Sequence, residues 1–306
     1  MATVSLQAWP TGDAAAWFDT ARRAEELGFD ALTAPDHPGA VAAPFVALAA
    51  AAAVTTRLGL GSYVTNGGVR EPAHIAADVA TLDVVSGGRA RLGLGAGHTP
   101  AEWRAVGRER PDVAGRVARC IAVVEGVRAL LAGEEVTADG PVRLHGARLH
   151  APRPVQRIPL TIGTSNSALL RYAGAHADVV GLSGLGRTLP DGHQHAVRWT
   201  PAEVDAQASL VAEGAAGRDR PPALEALVQQ VTVTDDAGAV AAELAERAGA
   251  RAEDLLAVPY VLLGTEDEIV DAVREHRRRW GITRYVVRQE AMEAVGGLLP
   301  RLAAIA

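Results

Sequence analysis

FDALTAPDH (29–37), RLGLGSYVTNGG (57–68), EPAHIAADVATLD (71–83) and SGGRARLGLGAGH (86–98) carry the reading of this chain. Three short β-type runs end in polar, Gly- or His-bearing tips: Asp36-His37, Tyr63 to Asn66 and Gly95 to His98. Helical patterns separate them. One is an Ala-rich run over 44–55, and the other is opened by Glu71-Pro72, where proline suits a first helical turn. In an open sheet or barrel of parallel strands such tips gather at the strand C-termini, the face where ligands bind.

The alternation continues outward. Thr3 to Trp9 alternates like a strand, and 14–28 is amphipathic with Asp13 placed as N-cap and Gly28 as stop. A long helix is expected within 111–133. Short β-type runs around Asp139-Gly140 read as an inserted hairpin and crossing segment over 136–155. The β/α pattern resumes with strand 158–163, helix 167–176 and strand 178–182. Ser183 to Thr200, rich in Gly, Pro and His, reads as a loop over the active face. Helix 201–214, strand 226–233, helices within 236–257, the apolar run 260–263, helix 266–280, strand 283–288 and helix 291–304 follow. About eight β/α units predict an α/β fold, a (β/α)8 TIM barrel with insertions, as one domain over 1–306.

Composition narrows the class. A hydrophobic content of 48% in 306 residues supports a large soluble core, and a net charge of −6 argues against a nucleic-acid partner, which favours a basic patch. All 30 basic residues are arginine, so lysine Schiff-base chemistry is excluded. The single cysteine, Cys120, rules out an intrachain disulfide and suits a reducing cytoplasm. It recurs with Val117, Ile121 and Val124 at helical spacing, as a buried thiol does. MATVSLQAW lacks the pattern of a signal peptide, and the apolar run 45–54 falls short of a membrane span.

Several motifs invite chemistry. Gly163-Thr164-Ser165-Asn166 precedes a helix, and free helix-start N–H groups beside hydroxyls suit a phosphate, a capped start without ligand being the other reading. Gly93 to His98 departs from G-x-G-x-x-G and follows the fourth strand, so its glycines read as allowing close backbone approach to a cofactor. His193-x-His195 lacks further ligands at convincing spacing, and no metal is expected. Arg277-Arg278-Arg279 reads as a solvated helix face. The small residues of 47–53 suit a dimer face or simple core packing.

With these elements in order, AEELGFDALTAPDH (24–37), RLGLGSYVTN (57–66), the run 71–97, LTIGTSNSALLRYAGAHADVVGL (160–182) and GTEDEIVDAVREHRRRWGITRYVV (264–287) together resemble the bacterial-luciferase-like superfamily of flavin- and deazaflavin-dependent oxidoreductases. The pattern is most similar to its actinobacterial branch that uses coenzyme F420, an 8-hydroxy-5-deazaflavin. The resemblance implies a barrel with the cofactor at the strand C-termini, often as a homodimer. It implies that Asp36 and His37 lie beside the ring, with His37 moving a proton as hydride is delivered and Tyr63 as a second proton donor. A non-proline cis peptide is implied at Tyr63-Val64, or at the neighbouring Ser62-Tyr63. Ser62, Tyr63, Val64, Asn66, Gly95, Ala96, Gly97 and His98 would surround the cofactor, His98 standing where relatives often carry an acid. Gly163, Thr164, Ser165 and Asn166 would form its phosphate loop, with Arg171 or Arg187 toward an anionic tail. Trp9 and Trp199 would shape a pocket for a small organic substrate. The implied activity is hydride transfer reducing an activated C=C or C=N bond, or oxidising an alcohol. The rivals are an FMN-dependent two-component monooxygenase and a barrel that binds a flavin without turnover.

Overall fold

In a computed structural model the chain is described over residues 1–188 and 195–305, and it divides into two compact units. One comprises Ala8–Arg23 and Leu32–Gly163, the other Met1–Gln7, Ala24–Ala31 and Thr164–Ala306.

The first of these units carries the strands Ala31–Ala34, Gly59–Ser62, Ala90–Gly95 and Leu160–Gly163. Gly59–Ser62 pairs parallel with Ala90–Gly95 through Leu60 and Ala90, and Ala90–Gly95 pairs parallel with Leu160–Gly163 through Leu92 and Leu160. The two-residue strand Thr65–Asn66 adds to the end of Ala90–Gly95, Asn66 facing Gly95. Proline opens the helix Pro72–Ser86, and Gly87, at φ 68°, turns the chain out of it. The helix Val113–Ala132 starts where Asp112 accepts the Gly115 N–H at 2.8 Å. Val136–Asp139 and Arg143–Ala147 pair antiparallel as a hairpin.

The second unit repeats the logic. Thr3–Gln7 pairs parallel with Ile282–Arg288, which pairs parallel with Ala223–Leu227, itself parallel to Val179–Leu182. The helix Glu266–Trp280 begins at a capping box of Thr265 and Glu268 and ends at Gly281, at φ 69°. Its apolar stripe of Ile269, Val270, Val273 and Trp280 is buried. Among the described residues, these two sets of four parallel strands alternate with helices, the strand content of a (β/α)8 barrel.

Two local readings change. The stretch 183–200, expected as loop, holds an antiparallel pair of Leu185–Thr188 and His195–Val197. The strand expected over 226–233 is two, Ala223–Leu227 and Gln230–Val233. The break falls where the backbone changes partner, Val228 N–H going to the Val286 carbonyl and Gln229 N–H to that of Tyr260. Gln230–Val233 then pairs with Val261–Gly264. In addition, a short helix spans Pro100–Ala105, a stretch to which the sequence reading assigns no element.

Candidate active site

Asp36 lies two residues beyond the Ala31–Ala34 strand and is buried. Its carboxylate accepts from Arg70 Nε at 2.6 Å and Nη2 at 2.9 Å, and from the Asn66 main-chain N–H at 2.9 Å. Such a charge-assisted bidentate pair is strong and directional. The Asp36 hydrogen bond comes first among the causes that hold the Arg70 guanidinium above its ordinary pKa. The network ties the end of one strand to the Thr65–Asn66 tip. Asp36 thus holds the Arg70 guanidinium and the Asn66 backbone together.

The next residue does the reverse. His37 keeps 36% of its side chain exposed, while its Nδ1 lies 2.7 Å from Oε1 of Glu102, whose side chain is 7% exposed. The other carboxylate oxygen of Glu102 accepts from Asn66 Nδ2 at 2.5 Å, and Asn66 Oδ1 accepts the Gly68 N–H at 3.0 Å. The His98 ring meets His37 edge-on, centroids 5.4 Å apart. Burial pushes the Glu102 carboxyl up, but the His37 hydrogen bond and the charges of His37 and His98 outweigh it, and the net shift is downward. Glu102 and Arg70 were absent from the sequence reading. The signal for Glu102 is Thr99-Pro100-Ala101-Glu102, a T-x-x-E start with proline at the first helical position.

Val64, two residues before Asn66, is half-buried. The Tyr63–Val64 peptide is cis. A Cβ on Gly95 would lie 2.7 Å from Val64 Cγ2, and one on Gly163 would lie 3.0 Å from Val64 Cγ1. At both positions the absence of a Cβ leaves room for the Val64 side chain. Gly97, at φ 71°, is needed for a different reason: a Cβ there would overlap Asn66 Oδ1. The Ser62 hydroxyl donates to the Gly93 carbonyl at 3.0 Å and accepts from Thr65 Oγ1 at 2.7 Å. Ser62 therefore joins strands with its side chain. Tyr63 is buried, its main-chain N–H on the Ala34 carbonyl at 2.8 Å, while Ala96 and His98 are half-buried. Trp9 is half-buried in the same unit.

In the other unit, Asn166 caps the helix Ser167–His176, accepting from Ala168 N–H at 3.0 Å and Leu169 N–H at 3.1 Å. Thr164 Oγ1 accepts the Asn166 N–H at 3.0 Å. The cap takes helix-start donors that a phosphate would use, so this loop presents hydroxyls more than bare N–H groups. Arg198, which the sequence did not single out, reaches the Ser165 carbonyl at 3.5 Å. Arg171 instead pairs with Glu213 at 2.7 Å on the surface. Trp199 is buried, its indole packed against Gly184. His193 lies outside the described residues, and His195 Nδ1 meets the Gly186 carbonyl at 3.3 Å. Arg279 pairs with Asp205 at 2.7 Å, and Arg278 with Glu275 at 2.5 Å, on the exposed face expected of 277–279.

The model of the luciferase-like monooxygenase family matches residues 3–257. The chain belongs to this family. Among its relatives, the F420-dependent glucose-6-phosphate dehydrogenase of Beutenbergia cavernae is 33% identical over 239 residues, 75% of this chain and 67% of the relative. The enzyme of the same description from Intrasporangium calvum is 36% identical over 179 residues, 55% of this chain and 53% of the relative. The match thus spans only about half the length of some of these relatives. The coenzyme F420 dependent tetrahydromethanopterin reductase of Methanopyrus kandleri superposes with a TM-score of 0.76 over 98% of this chain and 99% of that one, at 22% identity. The likeness shows the fold: the luciferase-like (β/α)8 barrel expected from the sequence.

Proposed function

We propose that this chain is a coenzyme F420-dependent oxidoreductase acting on a small organic substrate, by reduction of an activated C=C or C=N bond or oxidation of an alcohol. The observation that carries the reading is His37: a half-exposed imidazole at a strand tip, held from behind by the buried Glu102. An imidazole titrates near neutrality and is suited to take or give a proton at a reacting centre. The donor set fits a planar ring system. Asp36, Arg70, Asn66 and Glu102 are locked to one another, which leaves His37, His98, Val64, Ala96 and Gly97 as the half-buried surface. Val64 offers an apolar face and the two imidazoles polar edges.

When bound, the deazaflavin supplies hydride exchange. The chain's own part is to orient and to move a proton. His37, with His98 beside it, holds the proton; Asp36 and Arg70 hold the strand tips; Val64 keeps water from one side. Thr164 and Ser165, with Arg198 near, suit the phosphate group of the cofactor. Tyr63, being buried, is a poorer proton donor than His37. A second copy of the chain belongs to the same proposal. Val46 is 72% exposed and stands beside a groove lined by Trp17, Phe18, Ala43, Ala47 and Ala50. Among the described residues no helix is long and apolar enough to cross a membrane, and one buried cysteine suits a reducing cytoplasm.

Fluorescence titration of the purified protein with oxidised coenzyme F420, and separately with FMN, tests the reading. Micromolar binding of coenzyme F420 in preference to FMN is expected. Preference for FMN would move the chain to the monooxygenase reading, and binding of neither would remove the cofactor proposal. His37→Ala is expected to abolish turnover with cofactor affinity within a few-fold.

A further inference from the structure

The polarity of the hydrogen bonds behind His37 is set by the backbone. The Gly68 N–H can only donate, so the group 3.0 Å away is Asn66 Oδ1, an acceptor. That orientation turns the Asn66 amide nitrogen, also a donor, toward Glu102 Oε2 at 2.5 Å. Oε2 therefore accepts. The remaining oxygen, Oε1, is 2.7 Å from His37 Nδ1. An ionised carboxylate has no proton to give, and in that state the bond has one direction: Nδ1–H donates to Oε1.

We infer that Glu102 is a positioning residue that fixes the neutral His37 ring with its proton on Nδ1, leaving Nε2 as the nitrogen that accepts a proton. A free neutral imidazole favours the opposite tautomer, so the choice is imposed by the chain Gly68–Asn66–Glu102. When Nε2 takes a proton, the imidazolium formed keeps its Nδ1–H on the carboxylate, and the new charge lies beside a negative one. A carboxylate behind a catalytic imidazole does the same in hydrolase triads. The charged and titratable groups facing His37 are Glu102, from the helix Pro100–Ala105, and His98, from the end of the Ala90–Gly95 strand. The importance of Nε2 to proton transfer rests on the oxidoreductase reading; the tautomer does not.

The test is long-range 1H–15N correlation of the intact, cofactor-free chain labelled with 15N-histidine, with His37→Ala assigning the resonance. At alkaline pH, where the ring is neutral, wild type is expected to show a protonated Nδ1 and an unprotonated Nε2. Glu102→Gln reverses the pattern. The glutamine carbonyl must turn to the Asn66 amide, so its NH2 faces Nδ1 and drives the proton to Nε2. Asn66→Asp with Glu102→Gln restores it, because the carboxylate introduced at position 66 accepts from the glutamine NH2 and frees the carbonyl for Nδ1–H. A wild-type ring protonated on Nε2, or a folded Glu102→Gln protein whose ring stays protonated on Nδ1, overturns the inference. If Glu102→Gln does not fold, the double variant decides: Nε2–H there overturns it. Failure of coenzyme F420 to bind would remove the oxidoreductase reading while these spectra stand.

Discussion

The Arg70 guanidinium meets the Asp36 carboxylate side-on, Nε to Oδ2 at 2.6 Å and Nη2 to Oδ1 at 2.9 Å, and the two partners are unequally exposed: 24% for Arg70 against 1% for Asp36. Arg70 also has Asp78 at 3.7 Å. Removal of one partner from a buried pair strands the other charge, at about 3–5 kcal/mol. The asymmetry decides which removal hurts more. Arg70→Ala leaves a buried carboxylate with the Asn66 N–H and is expected to cost about 3 kcal/mol. Asp36→Ala leaves a guanidinium that still reaches Asp78 and solvent, and is expected to cost about half as much. Urea midpoints of the two variants check this, and equal losses would contradict it.

Gly95 and Val64 should behave as one packing unit. A methyl at 95 arrives 2.7 Å from Val64 Cγ2, a side chain, whereas one at 93 would overlap the Ser62 carbonyl oxygen, which is backbone. Gly95→Ala is expected to destabilise by about 1–3 kcal/mol, as overpacking does. Adding Val64→Ala should recover most of that, a coupling of about 1 kcal/mol or more between neighbours. Gly93→Ala, which also meets Val64 Cγ1 at 3.1 Å, should recover much less from the same second change, because the Ser62 backbone stays in the way. If Val64→Ala and Gly95→Ala prove additive in denaturant unfolding, the packing argument fails.

The alternation of β-type tips and helical runs made the barrel legible because period and punctuation are local properties. His37 and His98 were legible for the same reason: both stand at strand tips. Glu102 was not, since it lies 65 residues from His37, and a six-residue helix brings it there. Arg70 was likewise hidden, its role being fixed by Asp36, 34 residues earlier in the chain. The glycines of 93–97 do mark close approaches, but the approaching groups are Val64, Ser62 and Asn66, and sequence spacing does not name the partner across a sheet. The burial of Trp199 was hidden in the same way, since a tryptophan near a loop gives no sign of how much of it is covered.

Cys120 tests the packing of the helix Val113–Ala132. It is 1% exposed, and burial alone pushes its thiol up to about 12. Thiolate is the reactive form, so the native protein should resist a disulfide reagent at pH 8 and react fully in denaturant. Its labelling rate in water should follow global unfolding, with stabilising conditions slowing both together. Rapid stoichiometric labelling of the native chain would show this helix face to be open.

His276 gives the fold a defined response to acid. Its ring is 1% exposed, stacks on Trp280 at 5.6 Å and has Nδ1 3.3 Å from the Tyr285 hydroxyl. Burial depresses its pKa from 6.5 to about 4, against the opposing charge of Glu275 and a backbone bond at Ala257. In the unfolded chain the imidazole takes its proton near 6.5; in the folded chain it refuses it until about 4. The unfolded state therefore binds more protons between those values. The stabilisation is complete above pH 6.5 and is lost as pH falls toward 4, about 3 kcal/mol in all. His276→Phe keeps the stack and removes the titration, so its unfolding free energy should be flatter over that window. The comparison is urea unfolding at pH 7, 6, 5 and 4.5 for both proteins. A wild-type curve that loses no more stability than the variant across this range would mean that the ring is not held neutral by burial.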